Sequence, residues 1–504
     1  MTKRFLTRLM VLATALLLVL VGISCKSNNR PSSDDNLDLK RPDDTINTIT
    51  NAGGLLRDDE LNNWNDAMIQ IRLLAVSEDG GYRRSPVIAT FGNLNGKKNK
   101  ILTVMEKRFG RSGERDVAID GNSRVQIMYQ YSQNSGNTFG DEFVIGAPAD
   151  EPTLSRGAPV VFVGNDDTVG VVAAAGGGMY GNSQLKITKA TAGNSQDGSI
   201  LWSDWADLTF AQGELDKVND KSVTNDVNKA ILAYINQKMK GTAMQDSRRP
   251  TFEANAFYLK SGLGGVNGQK WVLAVTALDI NLSSHGYFGI LVLYSEDAGV
   301  TWKFGPYAKP HGGSEKVTWY PQDSSSDYRE SQVVAFDGST VTIVAAPNTI
   351  HDSQPDPMFV FSGTYSDPNT ELTESRTGIT EATGGIGLAQ NPKNTSEYYL
   401  INTRKRVAQY NKILTIAKTD LGMNTEYASM KMTGVSGVGS VAALGDGSLV
   451  TIAEEAFAEG SAVGETKFNI VQRRFTPGYM NKNQQIIEPE RYYNPGYDIG
   501  EMDN

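Results

Sequence analysis

Short apolar runs, many with alternating apolar and polar residues, recur along the chain between clusters of Gly, Asn, Asp and Ser. Examples are KILTVMEK from Lys100, RVQIMYQYS from Arg124, KWVLAVTALD from Lys270 and TVTIVAAP from Thr340. Runs of this length with turn residues on both sides predict β-strands that are joined by hairpins. So many short strands predict an all-β protein, which could be a propeller, a pair of sandwiches or a large barrel.

One segment has a different period and predicts a helix. Residues 224–241 read TNDVNKAILAYINQKMKG, and Asn225 or Asp226 can cap the start of a helix that Gly241 follows. The apolar residues near helical spacing are Val227, Ile231, Leu232, Ile235 and Met239. We therefore expect a helical insertion near 224–241 on a scaffold of strands.

Composition and charge narrow the classes of function. The chain has 504 residues, 51 glycines and a formal net charge of -9, a composition typical of one large or two ordinary domains rich in tight turns. Without a long Lys/Arg run, nucleic acid is not an expected partner. The three histidines lie far apart and there is one cysteine, so the sequence predicts neither a metal site nor a cofactor. Carboxylates, arginines and hydroxyls are left to carry any chemistry.

A short motif recurs after several of the predicted strands. The stretch YSEDAGVTWKFG contains Ser295, Asp297, Gly299 and Trp302. The same offsets hold Ser132, Asn134, Gly136 and Phe139, and a third copy keeps Ser195, Asp197 and Trp202. In such a turn Asp can accept backbone N–H bonds, Gly can take positive φ and the aromatic ring can pack between sheets. Repeats at irregular intervals suggest equivalent hairpins of a propeller.

This motif is the Asp box, and the chain around it resembles the sialidase (neuraminidase) superfamily. In the family's order, YRRSPVI supplies Arg84, and MEKRF supplies Arg108. The following loop supplies Asp120, with Asp116 as a rival, and RESQVVAFDGS supplies Glu330. The resemblance implies a six-bladed β-propeller over residues 61–480, followed by a C-terminal tail over 481–504.

The family's chemistry implies an exo-sialidase that releases terminal sialic acid from glycoconjugates with retention. Sialidases clamp the substrate carboxylate with arginine forks and use a tyrosine nucleophile that a glutamate activates. By resemblance, Arg84 is a clamp arginine, Arg108 a second cation at the sugar, and Asp120 the general acid and base. Glu330 is then the partner of the tyrosine, and Arg406 or Arg404 supplies another clamp arginine. Sialylated glycans are the expected partners.

Two positions depart from the family pattern. Ala346 stands where the second clamp arginine is expected, and Val438 or a neighbouring glycine stands where the tyrosine is expected. Two alternatives therefore stay open: a sialidase scaffold that binds glycan or protein without catalysis, and a glycosidase of different specificity.

The amino terminus predicts export from the cytoplasm. Lys3, Arg4 and Arg8 precede an apolar run over 9–21, which is the layout of a secretory signal over residues 1–25. Cys25 stands where a bacterial lipoprotein signal places the residue that receives lipid, although an ordinary signal with an incidental cysteine is the alternative. Residues 26–60 are polar and predict a disordered tether. We expect a lipoprotein at the cell surface or in the periplasm, which touches the membrane only through its lipid anchor.

Overall fold

The apolar runs fold into β-strands, of which 29 lie within the part of the chain that the computed structural model describes. The described residues are 45–47, 54–77, 81–92, 97–109, 124–146, 155–175, 183–192, 199–246, 249–279, 287–310, 331–345, 357–380, 382–404, 413–433, 436–457 and 468–483. All of them belong to one compact unit, Leu39–Asn504, and the second unit, Met1–Asp38, lies outside the described residues.

Six sheets follow one another along the chain, and each contains a four-stranded antiparallel meander. The strands β1 (Thr45–Asn47) and β2 (Met68–Val76) come before the first complete meander. Blade 1 contains β3 (Tyr82–Phe91), β4 (Lys100–Phe109), β5 (Arg124–Ser132) and β6 (Phe143–Val144). Blade 2 contains β7 (Gly157–Val163), β8 (Thr168–Ala175), β9 (Gln184–Thr191) and β10 (Ala206–Asp207). A separate two-stranded sheet follows, made of β11 (Ala243–Asp246) and β12 (Arg249–Thr251).

The remaining blades have the same plan. The first strand of blade 3 is interrupted: β13 (Ala256–Tyr258) and β15 (Gly265–Asn267) both pair with β16 (Lys270–Asp279), whereas β14 (Gly262–Leu263) between them pairs with β7 of blade 2. Strands β17 (Tyr287–Ser295) and β18 (Lys303–Ala308) complete blade 3. Blade 4 contains β19 (Ser331–Phe336), β20 (Thr340–Ala345), β21 (Pro357–Thr364) and β22 (Thr373–Thr380). Blade 5 contains β23 (Ala382–Asn391), β24 (Asn394–Arg404), β25 (Ile413–Thr419) and β26 (Glu426–Thr433). Blade 6 contains β27 (Ser436–Ala443), β28 (Leu449–Phe457) and β29 (Phe468–Phe475).

The two ends of the chain close the ring of blades. The N-terminal strand β2 pairs antiparallel with β29 and becomes the fourth strand of blade 6. The first strands contact one another in turn around the axis, with β27 next to β3, β3 next to β7, and β19 next to β23. This closed arrangement confirms the predicted six-bladed β-propeller.

The first strands of successive blades run the same way, as the parallel pairing of β14 with β7 shows directly. The first residues of the first strands and the last residues of the second strands therefore lie at the same end of the propeller. We call this the starting end. The opposite end, where hairpins join each first strand to its second strand, is the hairpin end.

The apolar core lies between neighbouring blades. Both faces of most blades are covered, so strands such as β8 are buried along nearly their whole length, unlike a sheet with one face in water. Between blades 2 and 3, the ring of Phe162 stacks on Trp271 with centroids 4.8 Å apart. Each blade thus depends on its neighbours for burial of apolar area, which supplies most of the stability of the ring.

The predicted helical insertion is present and packs on blade 3. Helix α1 (Asp58–Asn63) precedes the propeller, α2 (Val227–Met239) is the insertion, and α3 (Pro477–Lys482) follows the last strand. Short 3-10 turns span Leu215–Lys217 and Lys221–Val223. The side chain of Asp226 caps α2 by accepting the N–H groups of Asn228 and Lys229. Tyr234 of α2 stacks on Phe304, with ring centroids 3.9 Å apart.

The segment predicted as a tether contains two elements. Strand β1 pairs with β2, with Thr45 opposite Arg72, and α1 begins within the same segment. The reason for the first difference is physical, because β2 is an edge strand that offers unpaired backbone groups to any nearby extended segment. Among the described residues, no helix is both long and apolar enough to span a bilayer.

Candidate functional site

Arg84 lies at the starting end, near the beginning of β3. Its side chain is buried, with 4% of the residue exposed, and its Nε donates to Oε1 of Glu454 at 2.9 Å. The backbone N–H of Ser85 donates to the same oxygen at 2.7 Å. Ser85 has a positive φ of 53°, and the register of β3 shifts there, so the strand bends immediately after the arginine.

Glu454 on β28 fixes the direction of this guanidinium. The carboxylate is fully buried, and its second oxygen accepts the N–H of Val438 at 3.1 Å. A Cβ added to Gly437 would lie 1.6 Å from that oxygen, so only glycine permits this contact. The carboxylate therefore ties the first strand of blade 1 to the first strand of blade 6.

Glu454 is not among the site residues that the sequence predicts. A signal was present, because two consecutive glutamates end the apolar strand LVTIAEEAF, and a carboxylate in a strand buried on both faces must be paired. The sequence alone could not show that Arg84 is its partner.

A second buried ion pair lies on the neighbouring strand. Arg108 donates through Nε to Oε2 of Glu106 at 2.7 Å, and the other oxygen of Glu106 accepts the N–H of Ala158 in blade 2 at 2.6 Å. Arg84 and Glu106 are directly opposite each other in the β3–β4 ladder. The structure therefore places Arg84 and Arg108, both predicted from the sequence, on adjacent strands at the starting end.

Several other predicted residues fall outside the described part of the chain. They are Asp120, Asp116, Glu330, Arg406, Ala346 and Cys25. Their described neighbours are informative: β19 begins at Ser331, one residue after Glu330, and β24 ends at Arg404. Ser331 and Arg404 therefore lie at the starting end, because β19 is a first strand that begins there and β24 is a second strand that ends there. The hydroxyl of Ser331 lies 2.7 Å from that of Thr276 in blade 3, which fixes the first residue of β19.

Val438 occupies the position where the family pattern expects a tyrosine. Its backbone N–H is engaged by Glu454, and its side chain is half-buried. The strand around it is held tightly, because Gly437 lies against the carboxylate. This position therefore supplies no tyrosine hydroxyl that could act as a nucleophile.

The motif around Ser295 forms a turn at the hairpin end. The hydroxyl of Ser295 donates to Oδ1 of Asp297 at 2.7 Å and accepts the N–H of Gly299 at 2.8 Å. Asp297 also accepts the N–H of Thr301 at 2.8 Å. Gly299 has φ +75°, and Trp302 is fully buried. These contacts are the ones that the residue types predict.

The turn around Ser132 has the same hydrogen bonds. Ser132 donates to Oδ1 of Asn134 at 3.0 Å, and Gly136 donates its N–H back to Ser132 at 2.9 Å. Gly136 has φ +87°. Phe139 lies under the guanidinium of Arg72, 5.8 Å from ring centroid to Cζ. The two turns therefore share one geometry on different blades.

The third copy is described only in part. Ser195 and Asp197 lie outside the described residues. Trp202 makes an edge-on contact with the ring of Tyr129, with centroids 5.7 Å apart.

A cavity of about 540 Å³ opens on the propeller axis at the hairpin end. Neither Arg84 nor Arg108 lines it, so it is separate from the predicted site at the starting end. Among the described residues, no group of three or more His, Cys, Asp or Glu side chains is placed to hold a metal ion.

Comparison with known proteins concerns the fold. No protein-family model and no curated protein matches the sequence. Similar solved structures include a Hadza microbial sialidase, with 14% identity, 79% of this chain and 66% of that chain covered, and a TM-score of 0.49. The Trypanosoma rangeli sialidase in complex with sialic acid shares 13% identity over 87% of this chain and 60% of that chain, with a TM-score of 0.47.

A third similar structure is the intramolecular trans-sialidase from Ruminococcus gnavus, with 11% identity, 83% of this chain and 98% of that chain covered, and a TM-score of 0.48. The structural neighbours named here are thus sialidases and a trans-sialidase. The chain spans slightly less than two thirds of the length of the first two. Identities of 11–14% carry no information on catalytic activity. The order of the sheets establishes the six blades.

Proposed function

We propose that the protein is an exo-sialidase-like glycoside hydrolase that acts on terminal sialic acid of glycoconjugates. The observation that carries the proposal is the placement of Arg84, whose guanidinium plane is fixed at the starting end by Glu454. A pre-oriented planar fork suits bidentate binding of a carboxylate, and sialic acid carries a carboxylate on its anomeric carbon.

In this proposal each residue has a distinct role. Arg84 holds the substrate carboxylate, with Arg108 and Arg406 as further cations at the sugar. Asp120 protonates the glycosidic oxygen as the bond to the anomeric carbon breaks, and then removes a proton from the attacking water. Glu330 accepts the proton of a tyrosine hydroxyl whose oxygen bonds to the anomeric carbon, as in the sialidase form of retaining hydrolysis.

A fluorogenic sialoside tests the proposal with a matched pair of variants. Arg84→Lys keeps the positive charge beside Glu454 but removes the fork, and we expect kcat/KM to fall on the order of 100-fold. Arg83→Lys is the control, because the neighbouring Arg83 pairs with Glu142 at 2.6 Å instead, and we expect less than about a threefold change there. Asp120→Ala and Glu330→Ala should abolish release. No release by the unmodified protein would refute the enzyme, and equal effects of both lysine variants would refute the carboxylate-binding role of Arg84.

The second candidate function is glycan binding without turnover. The observation that favours it is Val438, which stands in the tyrosine's position with its N–H engaged by Glu454. Calorimetry with sialyllactose, and lactose as the control, separates the two candidates. Binding of sialyllactose without release of lactose would support the binding protein, whereas turnover that is lost in Asp120→Ala would refute it.

We also propose that the protein is exported and anchored through lipid on Cys25. The support is the apolar run over 9–21 that precedes a lone cysteine. A Cys25→Ala variant should leave the membrane fraction for the soluble one and should no longer incorporate a labelled fatty acid. Incorporation of label that is unchanged in this variant would contradict the anchor.

A further inference from the structure

Glu106 joins blade 1 to blade 2 in the way that Glu454 joins blade 6 to blade 1. Both are fully buried carboxylates on second strands. One oxygen of Glu106 accepts the N–H of Ala158 at 2.6 Å, and one oxygen of Glu454 accepts that of Ser85 at 2.7 Å. Ala158 and Ser85 match each other in successive first strands, because each has a positive φ, of 49° and 53°, and precedes a proline. The two glutamates therefore occupy equivalent positions in neighbouring blades.

The two carboxylates differ in where their arginine comes from. Glu454 holds Arg84, which directly precedes the matched residue of the next blade. In blade 2 the residue at that position is Gly157, which has no side chain. Glu106 instead holds Arg108, which lies two residues further along its own strand, through Nε at 2.7 Å. Equivalent carboxylates thus orient two arginines on adjacent strands at the starting end.

The contact between blades does not itself require a charge. At the junction of blades 3 and 4, the hydroxyl oxygen of Thr276 accepts the N–H of Ser331 at 2.8 Å. This bond also runs from a second strand to the first strand of the next blade, and a neutral side chain makes it. A carboxylate is costly to bury unless it is paired. The charge of Glu106 is therefore explained by the guanidinium of Arg108 and not by the backbone contact.

We propose that Glu106 is a positioning residue, which holds the guanidinium plane of Arg108 in the direction that contacts an oxygen of the bound sialoside. A guanidinium that a carboxylate already holds loses less conformational entropy when it binds a ligand. Glu106 acts only through Arg108 and does not touch the sugar. The inference rests on the proposed function, because it requires that Arg108 lies at the sugar.

Kinetics of a Glu106→Gln variant with a fluorogenic sialoside test this role. The amide oxygen can still accept the N–H of Ala158, but the amide group carries no charge for Arg108. We expect KM to rise on the order of tenfold while kcat changes by less than about threefold, because the lost contact binds the sugar equally in the ground and transition states. Glu142→Gln is the matched control, since it makes the same change in the pair with Arg83 on the same blade, and its KM should change by less than about twofold.

A second comparison shows whether Glu106 acts through Arg108. Arg108→Met and the double variant Arg108→Met/Glu106→Gln should have the same KM within about twofold, because a positioning residue has no effect once its arginine is gone. This comparison also decides the question if Glu106→Gln alone does not fold, since the double variant has lost both charges of the pair.

The outcomes separate this role from the proposed function. If the unmodified protein binds sialyllactose without turnover, the same comparisons are made on its Kd by calorimetry. Neither binding nor release by the unmodified protein would refute the proposed function and this role together. If the unmodified protein is active, three results would each overturn the role of Glu106 alone. They are an unchanged KM in Glu106→Gln, an equal rise in Glu142→Gln, and a double variant whose KM exceeds that of Arg108→Met by about tenfold or more.

Discussion

At the scale of single residues, the contact between Arg84 and Glu454 determines how the starting end is built. Both groups are buried, and Glu454 also receives the N–H groups of Ser85 and Val438. A buried ion pair is weak evidence for net stability, because desolvation offsets much of the attraction. Its role here is to orient other groups, since one carboxylate holds both a guanidinium and two segments of backbone.

Removal of the charge of Glu454 should therefore be costly. Glu454→Gln leaves the Arg84 guanidinium buried without its counter-charge, and we expect the free energy of unfolding to fall by about 3–5 kcal/mol. The control is Glu142→Gln, whose partner Arg83 lies nearer to solvent, with 20% of the Glu142 side chain exposed, and we expect a loss below about 1 kcal/mol. Urea unfolding of both variants measures the difference, and equal losses would contradict this role of Glu454.

The same residues show how far sequence reasoning reaches. Arg84 and Arg108 could be selected because short motifs surround them, and Asp226 could be selected as a helix cap because capping is local. Glu454 could not be matched to Arg84, because 370 positions separate the two along the chain. Pairing between blades depends on the closed ring, which no local pattern encodes.

At the scale of elements, a glycine in a turn at the hairpin end can be required for two reasons, a positive φ and close packing against a neighbour. Gly299 has a positive φ, and a Cβ there would lie 2.7 Å from the Trp271 ring. Gly268 also has a positive φ, but a Cβ there would meet nothing within 4 Å. The two glycines thus separate backbone strain from steric overlap.

Alanine at these two positions should have unequal effects. Gly268→Ala should cost about 1–2 kcal/mol of unfolding free energy from the left-handed backbone alone. Gly299→Ala should cost roughly 1–3 kcal/mol more, because the tryptophan must move in a packed core. Denaturant unfolding with tryptophan fluorescence checks both values. A similar loss of unfolding free energy at both sites would show that the Trp271 ring moves aside at little cost.

The carboxylate of the same turn predicts a dependence on pH. Burial on its own raises the pKa of Asp297, but the hydrogen bonds from Thr301 and Ser295 outweigh it, and the pKa lies below its usual value. Because the folded pKa is lower than the unfolded one, this stabilisation is present above about pH 4 and is lost as the pH falls through the folded pKa.

An asparagine should remove this dependence and keep the turn, since Asn134 makes the equivalent bond to Thr138 at 2.9 Å. We expect Asp297→Asn to lower stability by about 1 kcal/mol at pH 7 and by less at pH 3. Unfolding curves at the two pH values measure this, and a penalty that grows on acidification would reverse the assignment.

At the scale of the whole molecule, a buried cluster around Arg474, which we call the latch, lies where the two ends of the chain meet. The Arg474 guanidinium, 1% exposed, donates to Oδ2 of Asp446 at 2.8 Å and to the carbonyl of Gly54 at 3.0 Å. It also reaches the carbonyl of Ser135 in blade 1 at 3.3 Å. Leu56 donates its N–H to Asp446 at 2.8 Å. One ion pair therefore joins the N-terminal segment, blade 1 and blade 6.

If this latch closes the ring, a single substitution should harm it more than a double one. Asp446→Ala leaves the Arg474 charge buried without its carboxylate, and we expect a loss of about 3–5 kcal/mol together with faster proteolysis of the N-terminal segment. Arg474→Met/Asp446→Leu removes both charges and should lose less than the single variant, because no unpaired charge remains. Arg57→Ala, which disrupts an exposed pair with Glu60, should change stability by less than about 1 kcal/mol. Additive losses in the double variant would mean that the two residues act separately and that closure depends on the β2–β29 pairing alone.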